Sequence, residues 1–306
     1  MLYRILTTMM IEDDRMSILE SIFLGIIQGL TEFLPISSSG LISLFGHFFG
    51  SGSSYGGFIS AMLHIGTLIA LVVAFYKPLY ELFSEFFSVL KDISSKNFVL
   101  DFKRMSETRK MLVFFIISCL PLLVLLIPVG KGENIYSLTE LMYTDNSIKA
   151  EGLGFMFSGL LVILASIYSE NKPRIKKFSP ASAAIVGVAQ LLSACFPGFS
   201  RIGATTSAAT LCNISRKNSI RYALVLSVPV VAVRCIISCK EITNSTVVIP
   251  VGYVLLGVLV SAVVGFFSIR LLQLVEKKGL LKYLGIYCVG IGFIASVIGA
   301  IEVFVK

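Results

Sequence analysis

Six long apolar runs constrain the fold of this chain more than any other feature. The chain has 306 residues, of which 56% are hydrophobic and only 14% are charged, whereas soluble domains carry about 25% charged residues. A helix needs about 20 mainly apolar residues to cross the hydrocarbon of a bilayer. The six runs cover residues 57–76, 111–129, 152–169, 222–238, 247–269 and 283–305. We therefore predict an all-α, polytopic helical membrane protein that forms one transmembrane domain over residues 1–306.

The charges between these runs predict the orientation of the chain. The net charge is +8, but positive-inside topology explains it better than nucleic-acid binding, so we expect no nucleic-acid partner. The acidic loop 131–151 is placed outside and the basic segments in the cytoplasm. The basic segments cover residues 77–110, 170–178 and 270–282. For successive loops to alternate between the two sides of the membrane, the segments around residues 25–50 and 187–213 must each enter and leave the membrane on the same side. The first of these hairpins would open outward and the second inward.

The stretch 25–50 carries polar residues that are unusual in a membrane segment. Gln28 and Glu32 are four residues apart, which places both side chains on one helical face. A carboxylate inside a bilayer costs roughly 2.5–3.5 kcal/mol on insertion scales and is a functional-site hypothesis by default. Pro35 cannot continue a helix internally, and the serines that follow, with Gly40, can cap a new one. We predict a helix that enters the membrane, breaks and restarts.

The stretch 187–213 resembles the first one and predicts an inverted repeat. Both contain a Gly-x-x-Gln pattern, a proline at the same spacing, a serine three residues later and a nearby glycine. The matched pairs are Gly25 and Gly187, Gln28 and Gln190, Pro35 and Pro197, Ser38 and Ser200, and Gly40 and Gly203, the last one position out of register. Inverted repeats with broken helices commonly build substrate sites near the membrane midplane. We assign repeat one to residues 16–130, repeat two to 152–306, the loop between to 131–151, and a short N-terminal extension to 1–15.

The two stretches differ in charge, which predicts where they meet. Glu32 stands in the first, Arg201 in the second, and Thr205 lies one helical turn after Arg201. The guanidinium fork of arginine suits phosphate, and helix N-termini add N–H donors. The alternative is that Glu32 and Arg201 form a purely structural ion pair. His64 lies in an apolar run and fits a packing role as well as a site role.

Two other residue types carry less information. The six cysteines have no paired spacing or metal-type cluster, so we expect them to act as small hydrophobic residues. Four glycines in the last apolar run predict close packing of helices. They are Gly285, Gly290, Gly292 and Gly299.

The motifs at both breaks resemble those of the undecaprenyl-diphosphatase family, the integral-membrane bacitracin-resistance type. The segment Gln28-Gly-Leu-Thr-Glu32-Phe-Leu-Pro-Ile-Ser-Ser-Ser-Gly40 is similar to that family's (Glu/Gln)-x-x-x-Glu motif with its Pro-x-Ser-Ser run. The segment Pro197-Gly-Phe-Ser-Arg201-Ile-Gly-Ala-Thr205 is similar to its Pro-Gly-x-Ser-Arg-Ser-x-x-Thr motif. Leu63-His-Ile-Gly-Thr67 also looks like family sequence. The resemblance runs from about Met16 to the end and is least clear in the loop 131–151.

This resemblance implies hydrolysis of undecaprenyl diphosphate, or another polyprenyl diphosphate, to the monophosphate and inorganic phosphate. It implies an active site on the outer side of the plasma membrane, recycling of the lipid carrier for the cell envelope, and a possible homodimer. The implied catalytic residues are Glu32, Ser38 and Arg201. The implied substrate-binding residues are Gln28, Ser37, Ser39, Ser200, Gly203 and Thr205. Glu32 would either activate water or Ser38, or hold a divalent cation, Mg²⁺ or Ca²⁺, and the sequence leaves these roles open.

The chain departs from the family pattern at several positions. Leu41 stands where the family commonly has His, so we expect no mechanism built on His, with activity resting on Glu32 and Arg201. The other departures are Ile202 for Ser, Gln28 for the commoner Glu, Cys288 for Arg and Arg221 for Glu.

These departures leave other functions open beside hydrolysis. A polyprenyl-phosphate transporter or flippase with little or no phosphatase activity is the main alternative, because inverted repeats are transporter architecture. A diverged enzyme for another lipid phosphate is a third possibility. Release of inorganic phosphate discriminates between hydrolysis and transport.

Overall fold

The computed structural model describes residues 18–49, 56–95, 101–130, 133–144, 148–171, 177–242 and 251–305. The predicted N-terminal extension lies outside these residues. Twelve α-helices occur in the described part. They are α1 Ile18–Phe33, α2 Ser38–Phe49, α3 Gly56–Ala74, α4 Tyr76–Ser94, α5 Glu107–Cys119, α6 Ile135–Thr144, α7 Lys149–Asn171, α8 Pro180–Cys195, α9 Arg201–Leu211, α10 Arg216–Ile242, α11 Val251–Lys277 and α12 Leu281–Val305. A 3₁₀ helix, Leu120–Leu126, extends α5, and a small antiparallel pair joins β1, Pro128–Gly130, to β2, Glu133–Asn134.

The long apolar helices confirm a multi-pass helical membrane protein. Five of the six predicted runs fall on helices that are long and apolar enough to cross a membrane. Those helical segments are Glu107–Leu126, Lys149–Glu170, Arg216–Ile236, Val251–Lys277 and Leu281–Glu302. The remaining run, 57–76, falls on α3, whose described part passes the same test only together with α4. These two helices are bent by 86° where they meet.

Two segments predicted as loops contain helices. Residues 77–110 hold most of α4, a helix with no buried side chain that ion pairs tether to α5. The amphipathic sequence of α4 gave no continuous apolar run, so it was missed. Residues 131–151 hold β2, α6 and the start of α7. Glu151, which we expected in an external loop, is only 1% exposed, because α7 begins before it and carries it into the bundle.

Small residues let the central helices approach each other closely. α7 packs along α12, and both α1 and α3 pack against α11. A Cβ added at Gly159 would lie 2.4 Å from the carbonyl oxygen of Gly285, and one added at Gly25 would lie 2.7 Å from that of Gly257. Three of the four glycines predicted to mediate close packing do so, whereas Gly290 has nothing within 4 Å of its Cβ position. Helix periodicity turns Gly290 away from α7.

Candidate functional site

The first helix break lies where the sequence predicts it. α1 ends at Phe33 and α2 begins at Ser38. Ser37 between them has a φ of +58°, in the left-handed region that non-glycine residues rarely adopt. Its hydroxyl accepts a hydrogen bond from the backbone N–H of Gly40 at 3.3 Å, which caps the new helix. The proline and serines therefore stop one helix and start the next within four residues.

The second break repeats this design. α8 ends at Cys195 and α9 begins at Arg201. Gly198 between them has a φ of +75°. Ser200 is the N-cap of α9, and its hydroxyl accepts a hydrogen bond from the N–H of Gly203 at 3.1 Å. The N–H groups at the start of α9 therefore lie next to the side chain of Arg201.

The two breaks meet against α7. A Cβ added at Gly40 would lie 2.5 Å from the ring of Phe155 and 3.0 Å from the Cα of Gly198. A Cβ added at Gly154 would lie 2.0 Å from the carbonyl oxygen of Pro197. Side chains at these glycines would push the breaks apart. The predicted convergence of the two stretches is confirmed by these contacts, whereas the symmetry of an inverted repeat stays a prediction.

Glu32 is the centre of the site. It is 8% exposed, and the neighbouring Gln28 is fully buried on the same face of α1. Both the amide of Gln28, at 3.0 Å, and the hydroxyl of Ser38, at 2.8 Å, donate to Oε2 of Glu32. These two donors orient the carboxylate and satisfy one of its oxygens. The helical spacing predicted for Gln28 and Glu32 is confirmed.

Arg201 approaches the other carboxylate oxygen. Its Nη2 lies 3.6 Å from Oε1 of Glu32, longer than the 2.7–2.9 Å typical of a charge-assisted hydrogen bond. The Arg201 side chain is 17% exposed and that of Glu32 only 4%. The pair is thus a loose one across the junction of the breaks. Such spacing fits a ligand site better than a closed structural ion pair.

His64 from α3 joins this cluster. Its Nε2 lies 3.5 Å from Oε2 of Glu32, and the residue is 2% exposed. The sequence did not distinguish between a packing role and a site role for His64. The structure places this residue beside the carboxylate of Glu32. The expectation that activity rests on Glu32 and Arg201 without a His considered only position 41, and it stays a prediction. An imidazole from a different helix reaches Glu32.

The remaining predicted substrate-binding residues lie near the breaks with less direct contacts. Ser39 is half-buried, and its hydroxyl lies 3.5 Å from that of Ser37. Thr205 is buried, and its hydroxyl donates to the carbonyl oxygen of Arg201 at 2.7 Å. To donate to a phosphate instead, Thr205 must release that carbonyl.

Two buried residues at the site were not predicted. Ser158 of α7 is fully buried, its hydroxyl has no hydrogen-bond partner among the described residues, and it lies 3.0 Å from the Cβ position of Gly203. Glu151 accepts a hydrogen bond from Ser43 at 2.8 Å, and its backbone packs on Gly198. A lone serine in an apolar run carries no sequence signal, and Glu151 was grouped with loop charges.

The structure shows what surrounds three of the residues that depart from the family motifs. Leu41 packs against the hydrophobic core, and Ile202 is 3% exposed. Cys288 of α12 is fully buried, and its thiol donates to the carbonyl oxygen of Pro35 at 3.3 Å. Cys288 thus satisfies a carbonyl that the first break frees.

The described residues contain no group of three or more His, Cys, Asp or Glu side chains that could hold a metal ion. Mg²⁺, however, is commonly held by one or two carboxylates together with phosphates of the substrate. Glu32 supplies one carboxylate whose Oε1 faces the junction. The residues present therefore fit a cation shared with a phosphate ligand rather than a preformed protein cage.

Comparison with known proteins places this site in a family. The family model described as Bacitracin resistance protein BacA matches residues 21–294. This chain belongs to the BacA family. Relatives of the chain are named undecaprenyl-diphosphatase. One from Korarchaeum cryptofilum is 32% identical over 280 residues, covering 90% of this chain and 97% of the relative. One from Geotalea daltonii is 33% identical over 289 residues, covering 92% and 98%. The recognition of the family from the two break motifs is confirmed.

Proposed function

We propose that this BacA-family chain is a membrane phosphatase that hydrolyses undecaprenyl diphosphate to the monophosphate and inorganic phosphate. The observation that carries the proposal is the loose pair of Glu32 and Arg201 at the junction of two broken helices. The names of the relatives support hydrolysis and do not favour the transporter alternative. Recycling of the lipid carrier and bacitracin resistance follow from that activity.

Arg201 and the start of α9 would hold the diphosphate. Arginine donates in a planar fork that matches phosphate oxygens, and the N-terminus of a helix favours an anion. The N–H of Gly203 is already bonded to Ser200, so the first-turn N–H groups left to the substrate are those of Arg201 and Ile202. Transfer of a phosphoryl group depends mainly on positioning and charge neutralisation of this kind.

Glu32 and Ser38 have the geometry of a base and a nucleophile. The Ser38 hydroxyl donates to Glu32 at 2.8 Å, a distance at which the carboxylate can accept the proton as the oxygen attacks phosphorus. The P–O bond to the lipid monophosphate then breaks, and water releases inorganic phosphate from Ser38. The alternative is that Glu32 activates water directly. The Nε2 atom of His64 lies 3.5 Å from the same carboxylate oxygen, so a small shift on substrate binding would bring the two groups into proton-transfer range.

A divalent cation, Mg²⁺ or Ca²⁺, would be held by Glu32 and the substrate and would neutralise charge on the diphosphate. The loop charges support a site that opens to the outer side of the plasma membrane. A homodimer is part of this proposal.

The test is release of inorganic phosphate from a C55 polyprenyl diphosphate by the purified protein in detergent, with and without Mg²⁺ or Ca²⁺. Glu32→Gln and Arg201→Ala should each reduce turnover by at least about 100-fold, as expected for removal of a group that stabilises transition-state charge. Glu302→Gln and Arg221→Gln are matched controls, because Glu302 pairs with His47 rather than with a residue of the breaks and Arg221 is exposed.

The controls should retain turnover, and circular dichroism should show all variants folded. Turnover that survives Glu32→Gln would remove that residue from the mechanism. Lipid binding without phosphate release by the unaltered protein would contradict the phosphatase and favour transport.

A further inference from the structure

One face of α4 carries a continuous stripe of exposed aromatic side chains. Tyr76, Tyr80, Phe83 and Phe87 recur at intervals of three or four residues, so they lie on the same side of the helix. Each of them is more than half exposed. The rings of Phe83 and Phe87 contact each other edge to face, with centroids 4.8 Å apart. No side chain of α4 is buried, so the described residues leave this aromatic stripe uncovered.

The opposite side of α4 is polar and is attached to the bundle. The Nε of Arg109 in α5 donates to Glu85 at 2.6 Å, and its Nη2 lies 2.8 Å from a carboxylate oxygen of Asp92. Along one edge of α4, the half-buried Leu79 and Leu82 pack against the hydrophobic core. These contacts fix the rotation of α4 about its own axis. The aromatic stripe therefore points away from α5.

The direction of α4 follows from its junction with α3. α3 is 19 residues long, close to the length that crosses hydrocarbon, and only Phe75 separates it from α4. The two helices are bent by 86° where they meet. With α3 across the bilayer, α4 lies close to the membrane plane, at the depth where α3 ends.

The charges of α4 exclude a course through the hydrocarbon. Charged side chains are unfavourable there, and five of the 19 residues of α4 are charged. They are Lys77, Glu81, Glu85, Lys91 and Asp92. A helix with one charged face and one face of aromatic and aliphatic residues is typical of helices that lie in the membrane interface.

The positions of the lysines favour a lipid surface as the occupant of the stripe. Successive residues are about 100° apart around a helix, which places Lys77 and Lys91 between the aromatic stripe and the acidic side. Both lysines are exposed. Because Arg109 neutralises Glu85 and Asp92, the charge left on α4 is positive. Tyrosine rings and lysines at the edge of an apolar face suit the headgroup boundary, and positive charge suits anionic lipids.

We infer that α4 is an interfacial helix that binds the lipid surface of the leaflet on the side of the basic loops. The aromatic stripe enters the acyl chains just below the headgroups. Lys77 and Lys91 contact lipid phosphates and give a preference for anionic lipids. This inference concerns lipid contact alone and does not depend on hydrolysis.

The chain contains no tryptophan, so one introduced tryptophan reports on a single position without background. The experiment compares the fluorescence of Phe83→Trp and Glu81→Trp in the full chain, reconstituted into phosphatidylcholine vesicles. Glu81→Trp is the matched control, because Glu81 is exposed on the polar side of α4, nearly opposite Phe83. Lipid brominated in the upper acyl chain should quench Phe83→Trp at least threefold more strongly than Glu81→Trp. Iodide present on both sides of the membrane should quench them in the opposite order.

A second measurement tests the lysines. Quenching of Phe83→Trp by brominated phosphatidylglycerol, relative to brominated phosphatidylcholine, measures the lipid preference beside the stripe. We expect at least a twofold preference for phosphatidylglycerol, and Lys77→Gln combined with Lys91→Gln should abolish it. A preference that is absent, or that survives the double substitution, would overturn the contact between these lysines and lipid phosphates.

Equal quenching of Phe83→Trp and Glu81→Trp by brominated lipid would overturn the interfacial helix. Emission from Phe83→Trp that is shifted to the blue, yet is quenched by neither brominated lipid nor iodide, would also overturn it, because protein would then cover the stripe. If Phe83→Trp fails to fold, Phe87→Trp places the probe on the same stripe and decides the question.

Discussion

Gly154→Ala should disable the site without touching any polar residue. The added Cβ would lie 2.0 Å from the carbonyl oxygen of Pro197, and real Cβ contacts are essentially never below 3.0 Å. The Cβ position is fixed by the backbone of α7, and the oxygen of Pro197 is itself a backbone atom. Neither can rotate away, so α7 and the second break must separate by about 1 Å. Arg201 follows Pro197 by four residues, so a shift of the second break changes the position of its guanidinium relative to Glu32. A misplacement of this size can reduce catalysis about 100-fold.

The same substitution should lower stability. Overpacking a well-packed contact costs about 1–3 kcal/mol, whereas alanine at an unhindered helix position is more favourable than glycine by up to about 1 kcal/mol. Gly290→Ala is the matched control, because nothing lies within 4 Å of its Cβ position in α12. The assays are phosphate release and thermal unfolding of both purified variants in detergent.

Gly154→Ala is expected to unfold at a lower temperature than the unaltered protein, and Gly290→Ala at the same or a higher one. Turnover should fall only for Gly154→Ala. If Gly154→Ala keeps full turnover and stability, α7 does not position the second break, and the argument from close packing is refuted.

Three further substitutions test individual contacts. Ser158→Ala should lower kcat/KM about tenfold with unchanged thermal stability, because its hydroxyl is free for the substrate. Its control is Ser296→Ala, which removes another unpartnered buried hydroxyl and should leave steady-state kinetics unchanged. Tyr222→Phe should lower stability by about 1 kcal/mol in denaturant titrations and spare turnover, since it removes only the hydrogen bond to Ser118. His64→Gln should reduce kcat about tenfold or more with a smaller change in KM, and unchanged kcat would make His64 a packing residue.

Much of the first break could be predicted from local sequence. Gln28 and Glu32 share a face because they are four residues apart, and the serines cap α2 because they follow a proline. These relations involve residues within one or two helical turns. The amphipathic α4 was missed, because its apolar residues are interrupted by charges and do not form a continuous run.

The contacts that complete the site could not be predicted in the same way. His64 and Ser158 stand alone in apolar runs of α3 and α7, where polar residues more often serve packing. Glu151 carries a charge that matched the external loop, yet the early start of α7 buries it. Each of these positions depends on how helices distant in sequence pack against one another.

The sequence by itself determined the helical membrane class, the two breaks and the pairing of a carboxylate with a guanidinium. Apolar run length, proline and serine spacing, and motif similarity are all local properties of the chain. Only the tertiary structure decided that His64 lies beside Glu32 and that α7 packs against the second break at Gly154. Those features arise from interhelical distances, which close packing at glycines sets and which local spacing does not encode.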